Sequence, residues 1–319
     1  MNASPFGIEA GPAKLERSTL STTSPPTASD SRLNDRNFTA DYGRLEPVSP
    51  LIRRIVAHNP GPFTFFGTGT YVVGHGKVAV IDPGPDLPEH VAALLAGLAG
   101  ESVSHILITH THLDHSPAAA ALQAATGAPT HGFGPHGRYG DTGESGADLA
   151  FTPDHRLGDG DGVEGPGWRL EAVHTPGHAS NHLCFALPEE QALFSGDHVM
   201  GWSTTVVAPP DGDMAAYMHS LAKLRQRGDD IYWPTHGGPI RDPKTHVAAL
   251  TEHRLARRQA VLAALTAQPA TPTAMVAQVY PGLDPRLRGA AAQSLLAHLI
   301  ELGVAGLAGE INGSWYRRG

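Results

Sequence analysis

The chain is poor in cysteine, in aromatic residues and in long apolar runs. A single cysteine, Cys184, among 319 residues excludes an intramolecular disulfide framework. It lies in the strand-like run Asn181 to Leu187, where the expected role is that of a small core residue. No apolar stretch approaches the roughly 20 residues that a membrane-spanning helix needs, so no membrane partner is expected. The start has no charged segment followed by an apolar one. No secretory leader is therefore expected, and the chain is placed in the cytoplasm. A basic excess is missing too: net charge is −8, so overall charge does not call for nucleic acid. What remains, 40% hydrophobic and 6% aromatic, is the composition of a soluble globular protein long enough for one large domain, or one domain with a small second. Histidine breaks the pattern of scarcity. There are 19, nearly as many as the 23 lysines and arginines together.

Residues 1–45 are rich in Ser, Thr, Pro and Asp without lasting periodicity and are expected to form a disordered tail. From Pro62 the texture changes. TYVVGHGKVAVIDPGP reads as two strands around Gly74-His75-Gly76, PEHVAALLAGLA has helical spacing, and SHILIT is a strand. Strand and turn signals then alternate to about residue 250, which argues for a layered α/β or α+β domain over 46–250. From 251 to 319 the chain reads as three helices and a terminal hairpin centred on Asn312-Gly313, a small winged-helix-like module.

The densest chemistry lies in LITHTHLDHSPAA, which places His110, His112, Asp114 and His115 within six residues, between a strand and a helix. In extended chain, residues two apart point the same way. The spacing can therefore divide its ligands between two nearby metals; neutral imidazoles suit zinc, and a carboxylate adds charge compensation. A stray polar loop is the bland alternative, and four such residues in six argue against it. Further strand ends carry His178 in TPGH, Asp197 in FSGD, His236 in PTHG and Asp82 in VIDPGP. Loops held by rigid strands are where binding residues concentrate. His198 and Tyr217 are candidate substrate contacts because they follow the Asp197 strand, as does the loop from Ser203 to Asp213; a plain surface loop is its alternative. His174 and His182 read as site-lining or structural histidines, and His75 as a solvated turn residue.

Asp82, His110-x-His112-x-Asp114-His115, His178, Asp197 and His236, in this order, resemble the five motifs of the metallo-β-lactamase fold superfamily over roughly residues 60–240. GTGTYVVG, DHSPAA, SGDHVMGW and the terminal helical module are similar to the β-lactamase-like protein 2 group, which carries a C-terminal winged-helix domain. Two departures stand out. Gly69 occupies a loop where that group often has Asn, and Ser116-Pro117 stands where glyoxalase II relatives usually have Gly-Gly. The resemblance implies an α+β fold, a four-layered αβ/βα sandwich with a small winged-helix domain. It also implies a hydrolase with two zinc ions per chain: His110, His112 and His178 on one, Asp114, His115 and His236 on the other, Asp197 bridging. A hydroxide shared by the metals would be the nucleophile, with Asp114 as the catalytic carboxylate that orients it and takes or relays its proton. Asp82 would steady a ligand imidazole by hydrogen bond, the alternative being a plain strand-end turn residue.

An ester-type bond is the expected target, an RNA phosphodiester or a thioester, so the partner is a small molecule or single-stranded RNA; a homodimer is left open. A glyoxalase II-like hydroxyacylglutathione hydrolase and a β-lactamase are alternatives within the same chemistry. A nucleic-acid-binding module with an inert site is the alternative from another class, and the intact donor set argues against it. A flavodiiron-type oxidoreductase would need a flavin domain, for which the tail is too short. The C-terminal module carries seven arginines against four acids from Thr251 to Gly319. With Trp315 and Tyr316 on the wing it can be read as a strand-binding surface, although a lid or dimer wall that shapes the pocket is the preferred reading.

Overall fold

The computed structural model describes residues 33–137 and 146–319. Two mixed sheets pack face to face. The first has seven strands in the order β1 (Glu46–Pro47), β2 (Ile52–Val56), β3 (Gly69–Val73), β4 (Lys77–Ile81), β5 (Ser102–Leu107), β6 (Thr130–Gly132) and β7 (His155–Arg156). The second runs β12 (Ile231–Pro234), β11 (Ala192–Gly196), β10 (Leu183–Leu187), β9 (Trp168–His174) and β8 (Gly162–Gly165). Helices α1 (Pro88–Gly97) and α2 (Ala118–Thr126) cover the first sheet. Helices α3 (Met214–Leu224) and α4 (Pro243–Ala264) cover the second.

Side-chain alternation explains why these segments are central strands. In β10, Leu183, Phe185 and Leu187 enter the core between the sheets, while Cys184 and Ala186 face the helix layer. In β4, Ala79 and Ile81 face inward and Val78 and Val80 outward. Both faces are covered, so these strands read as unbroken apolar runs. Truncating a fully buried ring such as Phe185 or Phe194 to alanine costs about 3–5 kcal/mol. Cys184 is buried, and that burial pushes its thiol up to about 12, so it is the core residue the sequence suggests.

Strand direction gathers the functional loops. β4 and β5 are parallel, as are β11 and β12, and β9 runs with β11 because each is antiparallel to β10. The carboxyl ends of all five strands therefore open on one edge of the sandwich.

The C-terminal module consists of α5 (Pro272–Val279), α6 (Arg288–Val304) and the hairpin β13 (Ala308–Ile311) with β14 (Ser314–Arg317). Asn312 and Gly313 have φ of 49° and 76°, the left-handed pair that a two-residue hairpin turn demands. The module has its own apolar cluster, including Val261, Met275, Leu295, Leu299 and, partly buried, Trp315.

Two expectations change. The boundary at 250/251 falls inside α4, whose first half (Val247, Leu250) belongs to the sandwich and whose second half (Val261, Ala264) belongs to the C-terminal cluster. The expected tail also ends earlier. Residues 1–32 lie outside the described residues, but residues 33–45 dock on the sandwich. Leu33 is 4% exposed within the core, the Asp35 amide donates to Gly201 O, and the Tyr42 hydroxyl donates to Phe66 O at 2.6 Å. Scattered apolar side chains in a polar segment leave no period to read, although each has a place to bind.

Candidate metal centre

All seven expected donors meet at the loop edge. His110 Nε2 lies 2.9 Å from His112 Nδ1, which lies 3.1 Å from His178 Nε2. Beside this group, His236 Nε2 lies 3.2 Å and His115 Nε2 3.5 Å from Asp114 Oδ2. Asp197 stands between the two groups. Its Oδ2 is 3.7 Å from both His178 Nε2 and His115 Nε2, and its Oδ1 is 3.4 Å from His236 Nε2. Donor atoms of His110, His112 and His178 all lie within 4.8 Å of one another, and so do those of Asp114, His115 and His236.

Three of the imidazoles are held by their other nitrogen. His115 Nδ1 donates to Asp82 Oδ2 at 2.8 Å, His178 Nδ1 to Val206 O at 2.7 Å and His236 Nδ1 to Gly67 O at 3.1 Å. A carbonyl only accepts, so His178 and His236 carry the Nδ1 proton and present Nε2 to the cluster. Asp82 also accepts from the Thr109 amide at 2.7 Å and the Thr109 hydroxyl at 2.6 Å. Among the seven donors it hydrogen-bonds to His115, the imidazole it would steady. Its φ of 49° is left-handed, a conformation Asp tolerates better than most residues.

The glycines beside the donors make room. Gly196 has φ 52°, and a Cβ there would meet His182 Nε2 at 2.5 Å; Gly177 has φ 144°, and its Cβ would strike the Tyr217 backbone at 2.3 Å. Gly69, where the similar group often has Asn, makes room as well. A Cβ at Gly69 would lie 2.5 Å from Arg54 Nε. The space belongs to the buried Arg54, which donates to Gly237 O at 2.7 Å and Thr235 O at 3.2 Å and so grips the chain on both sides of His236.

Metal ligands must be deprotonated, and electrostatics divide the donors in this respect. Burial, reinforced by neighbouring histidines, holds His110 well below its ordinary value and His178 at about 4, so both are neutral. Burial alone would lower His115 and His236. The surrounding carboxylates overcome it, raising His115 well above its ordinary value and His236 to about 10. Burial works to raise Asp114 and Asp197, yet His115 and His236 keep both carboxyls below their ordinary range. The carboxylates thus draw positive charge to themselves, here as protons. His115 Nε2 and Asp197 Oδ1 are buried and make no hydrogen bond. A nitrogen and an oxygen with no hydrogen-bond partner among the described residues, in a set of imidazoles and ionised carboxylates, fit divalent cations of the zinc type.

The substrate contacts expected at His198 and Tyr217 are corrected. Both are fully buried. Asp197 and His198 lie in the turn after β11, and where Asp197 faces the cluster His198 turns towards the helix layer. Its ring packs 4.5 Å from Tyr217, whose hydroxyl donates to His198 O at 3.0 Å. Tyr217 shares one face of α3 with Met214, Leu221 and Leu224, and that face is core. His182 is buried and accepts from the Asp197 amide at 3.2 Å; His174 stacks on Phe133 at 4.1 Å; His75 is exposed. The loop from Ser203 to Asp213 contributes Pro209 to Asp213 to a cavity of about 1240 Å³ between the sandwich and α6. Phe133, Ile300 and Val304 give this cavity apolar walls, and Gly177 and Ser180 bring it up to the His178 loop.

Several residues that serve the site were not singled out from sequence. The Thr68 hydroxyl donates to Asp114 Oδ2 at 3.0 Å and is itself held by Asn59 at 2.9 Å; the Asn181 side-chain amide donates to the Thr111 hydroxyl at 2.8 Å. Threonine next to a donor is common enough to carry no signal, and the asparagine partners lie in loops away from the donor runs.

Fold and donor set define the class, a four-layered sandwich that presents a two-part cluster of histidines and aspartates at one loop edge. Residues 63–236 match the metallo-beta-lactamase superfamily and residues 271–315 the beta-lactamase associated winged helix domain, and the chain belongs to the metallo-beta-lactamase superfamily. It is 36% identical over 228 residues to an atrochrysone carboxyl ACP thioesterase of Aspergillus chevalieri, spanning 69% of this chain and 68% of that protein. It is 34% identical over 236 residues to the lactamase-like protein adaB of Aspergillus niger, spanning 72% and 68%. Among solved structures, a metallo-beta-lactamase family protein from Thermus thermophilus superposes with a TM-score of 0.71 at 25% identity, covering 85% of this chain and 100% of that one. A beta-lactamase domain protein from Burkholderia ambifaria shares the fold, with a TM-score of 0.74 at 23% identity over 89% and 96% of the two chains.

Proposed function

We propose that the protein is a two-zinc hydrolase that cleaves a thioester, splitting it with water into a carboxylic acid and a thiol. The observation that carries this reading is the gathering of seven donors in two groups about Asp197. His110, His112 and His178 would hold one ion, Asp114, His115 and His236 the other, with Asp197 serving both. Bound there, the ions supply Lewis-acid polarisation of the carbonyl and lower the pKa of water towards neutrality.

The chain's own residues supply the rest. Thr68 fixes the Asp114 carboxylate, whose side chain is 25% exposed and so open to the cleft. That carboxylate, ionised at neutral pH, orients the attacking water and takes its proton at Oδ2. The apolar walls of the neighbouring cavity suit an acyl group better than a charged strand. The relatives named as acyl-carrier-protein thioesterases favour the same substrate class. RNA is disfavoured by the use of arginines in the C-terminal module: Arg254 is buried, Arg258 pairs with Glu301, and Arg286 pairs with Asp284.

Elemental analysis of zinc-reconstituted protein should find about two ions per chain, and a value near zero would end the two-metal reading. The same protein should be offered an acyl-carrier thioester, an acyl-CoA, S-lactoylglutathione, single-stranded RNA and nitrocefin. Turnover confined to thioesters is expected. Cleavage of RNA or nitrocefin with the thioesters untouched would replace the proposed substrate.

A further inference from the structure

Arg254 lies on α4, 57 positions beyond Asp197 in the chain, and is 3% exposed. Among the described residues no carboxylate pairs with it. A buried cation without a counter-ion is costly, so the groups that do receive it matter. Its Nη2 donates to Thr205 O, and its guanidinium lies over the Tyr217 ring at 5.1 Å. The Thr205 hydroxyl donates to Asp197 O at 2.7 Å and to His198 O at 3.1 Å. The next residue, Val206, accepts the Nδ1 proton of His178 at 2.7 Å. One guanidinium thus holds the short segment that ties down two donors from different strands, Asp197 after β11 and His178 after β9.

We propose that Arg254 is a positioning residue for the metal centre, acting through Thr205 and Val206 to fix Asp197 and the ring of His178. The proposal rests on the two-metal reading of the site. Arg254 reaches no donor directly, and its contribution is the rigidity of the carbonyl and hydroxyl that orient them. It also gives the C-terminal module a share in the site. α4 carries Arg254 inward while the same helix packs against α5 and α6.

The test compares wild type, Arg254→Met, Arg254→Lys and Thr205→Val. Zinc affinity is read by competition with a chromogenic chelator, ligand geometry by the visible spectrum of the cobalt(II)-substituted protein, and folding by the melting temperature of metal-free protein. Loss of a partner that orients a ligand typically weakens metal binding about 10–100-fold. Arg254→Met and Thr205→Val should each fall in that range for the weaker-held ion and alter the cobalt spectrum, with Arg254→Lys recovering part of the loss. Should Arg254→Met not fold, Arg254→Lys and Thr205→Val decide the matter, since both should still weaken zinc. Variants that bind zinc like wild type and keep its cobalt spectrum overturn the proposal, whether or not their metal-free melting temperature falls. Weakening by Thr205→Val with both Arg254 variants like wild type overturns it as well. A wild type that holds no metal ends the reading of the site itself, a different result from a wild type and variants that hold it equally.

Discussion

Asp114, like His112 and His178, is a donor that is only partly buried. Its side chain is 25% exposed, against 11% for Asp197, 10% for His178 and 1% or less for His236 and His115. Removing it should therefore touch chemistry more than folding. Asp114→Ala is expected to lower kcat on the best thioester by about 100-fold or more, as for a positioned proton acceptor, while the metal-free melting temperature stays near that of wild type. Activity within a few-fold of wild type would remove Asp114 from the proposed role. At this scale the sequence spoke clearly where donors crowd a strand end, as in the run from His110 to His115, or stand beside glycine, as His178, Asp197 and His236 do. It was silent on Arg54 and Arg254, because their partners lie far along the chain and nothing in their neighbours marks them, and it marked Thr205 only as part of the loop from Ser203 to Asp213. It misled at His198, where adjacency to Asp197 suggested a shared surface, whereas the turn after β11 buries His198 against Tyr217.

The segment of residues 33–45 illustrates what an element can do without regular structure. Leu33 enters the core beside Val207 and Leu224, and Phe38 lies 4.7 Å from the Arg54 guanidinium. Truncation to residue 46 should therefore lower the melting temperature by roughly 5 °C or more, since a buried leucine and two docked rings amount to a few kcal/mol. An unchanged melting curve would mean that the docking is too weak to matter. Periodicity made helices and strands legible, but this segment has none, and its order comes from sites on the sandwich.

Helix α6 offers a second test at the scale of an element. His298 is 1% exposed, neither ring nitrogen has a hydrogen-bond partner among the described residues, and burial followed by the nearby arginines lowers it to about 3. Its folded value lies below the unfolded value near 6.5, so between those limits the unfolded chain binds the extra proton. Stability tied to this residue is present above about pH 6.5 and is lost as pH falls, by about 1.4 kcal/mol per unit. His298→Leu should flatten that part of the acid limb in a series of urea melts from pH 7 to 4. An acid limb as steep as that of wild type would show that His298 finds a proton acceptor or water when it titrates.

For the whole molecule, the distribution of arginine decides between two views of the C-terminal module. Arg257 lies over the Tyr280 ring at 4.9 Å, and Arg254, Arg258 and Arg286 are engaged as described, which leaves Arg288, Arg317 and Arg318. Trp315 packs into the module's own core and pairs by backbone with Ala270, so its face is not free to stack on a base. The double variant Arg317→Ala with Arg318→Ala is expected to match wild type in thioester turnover and in retention of labelled single-stranded RNA at low salt. A selective loss of RNA retention would restore the nucleic-acid view.

Ala297, on α6, lies in the same apolar cluster as Leu33, Tyr217 and Leu250. A helix of the winged module thus completes a layer of the sandwich, and α4 runs through both. A cut within α4 would divide Val247 and Leu250 from Val261 and Ala264, and any cut between α4 and α6 would part Ala297 from the cluster it joins. Domains joined in this way lose stability together, so a weakness introduced at the terminal hairpin is felt by the entire fold rather than by a part that can fray alone. The module is in that sense a keystone rather than an appendage, since α6 adds Ala297 to the helix layer that α3 and α4 form.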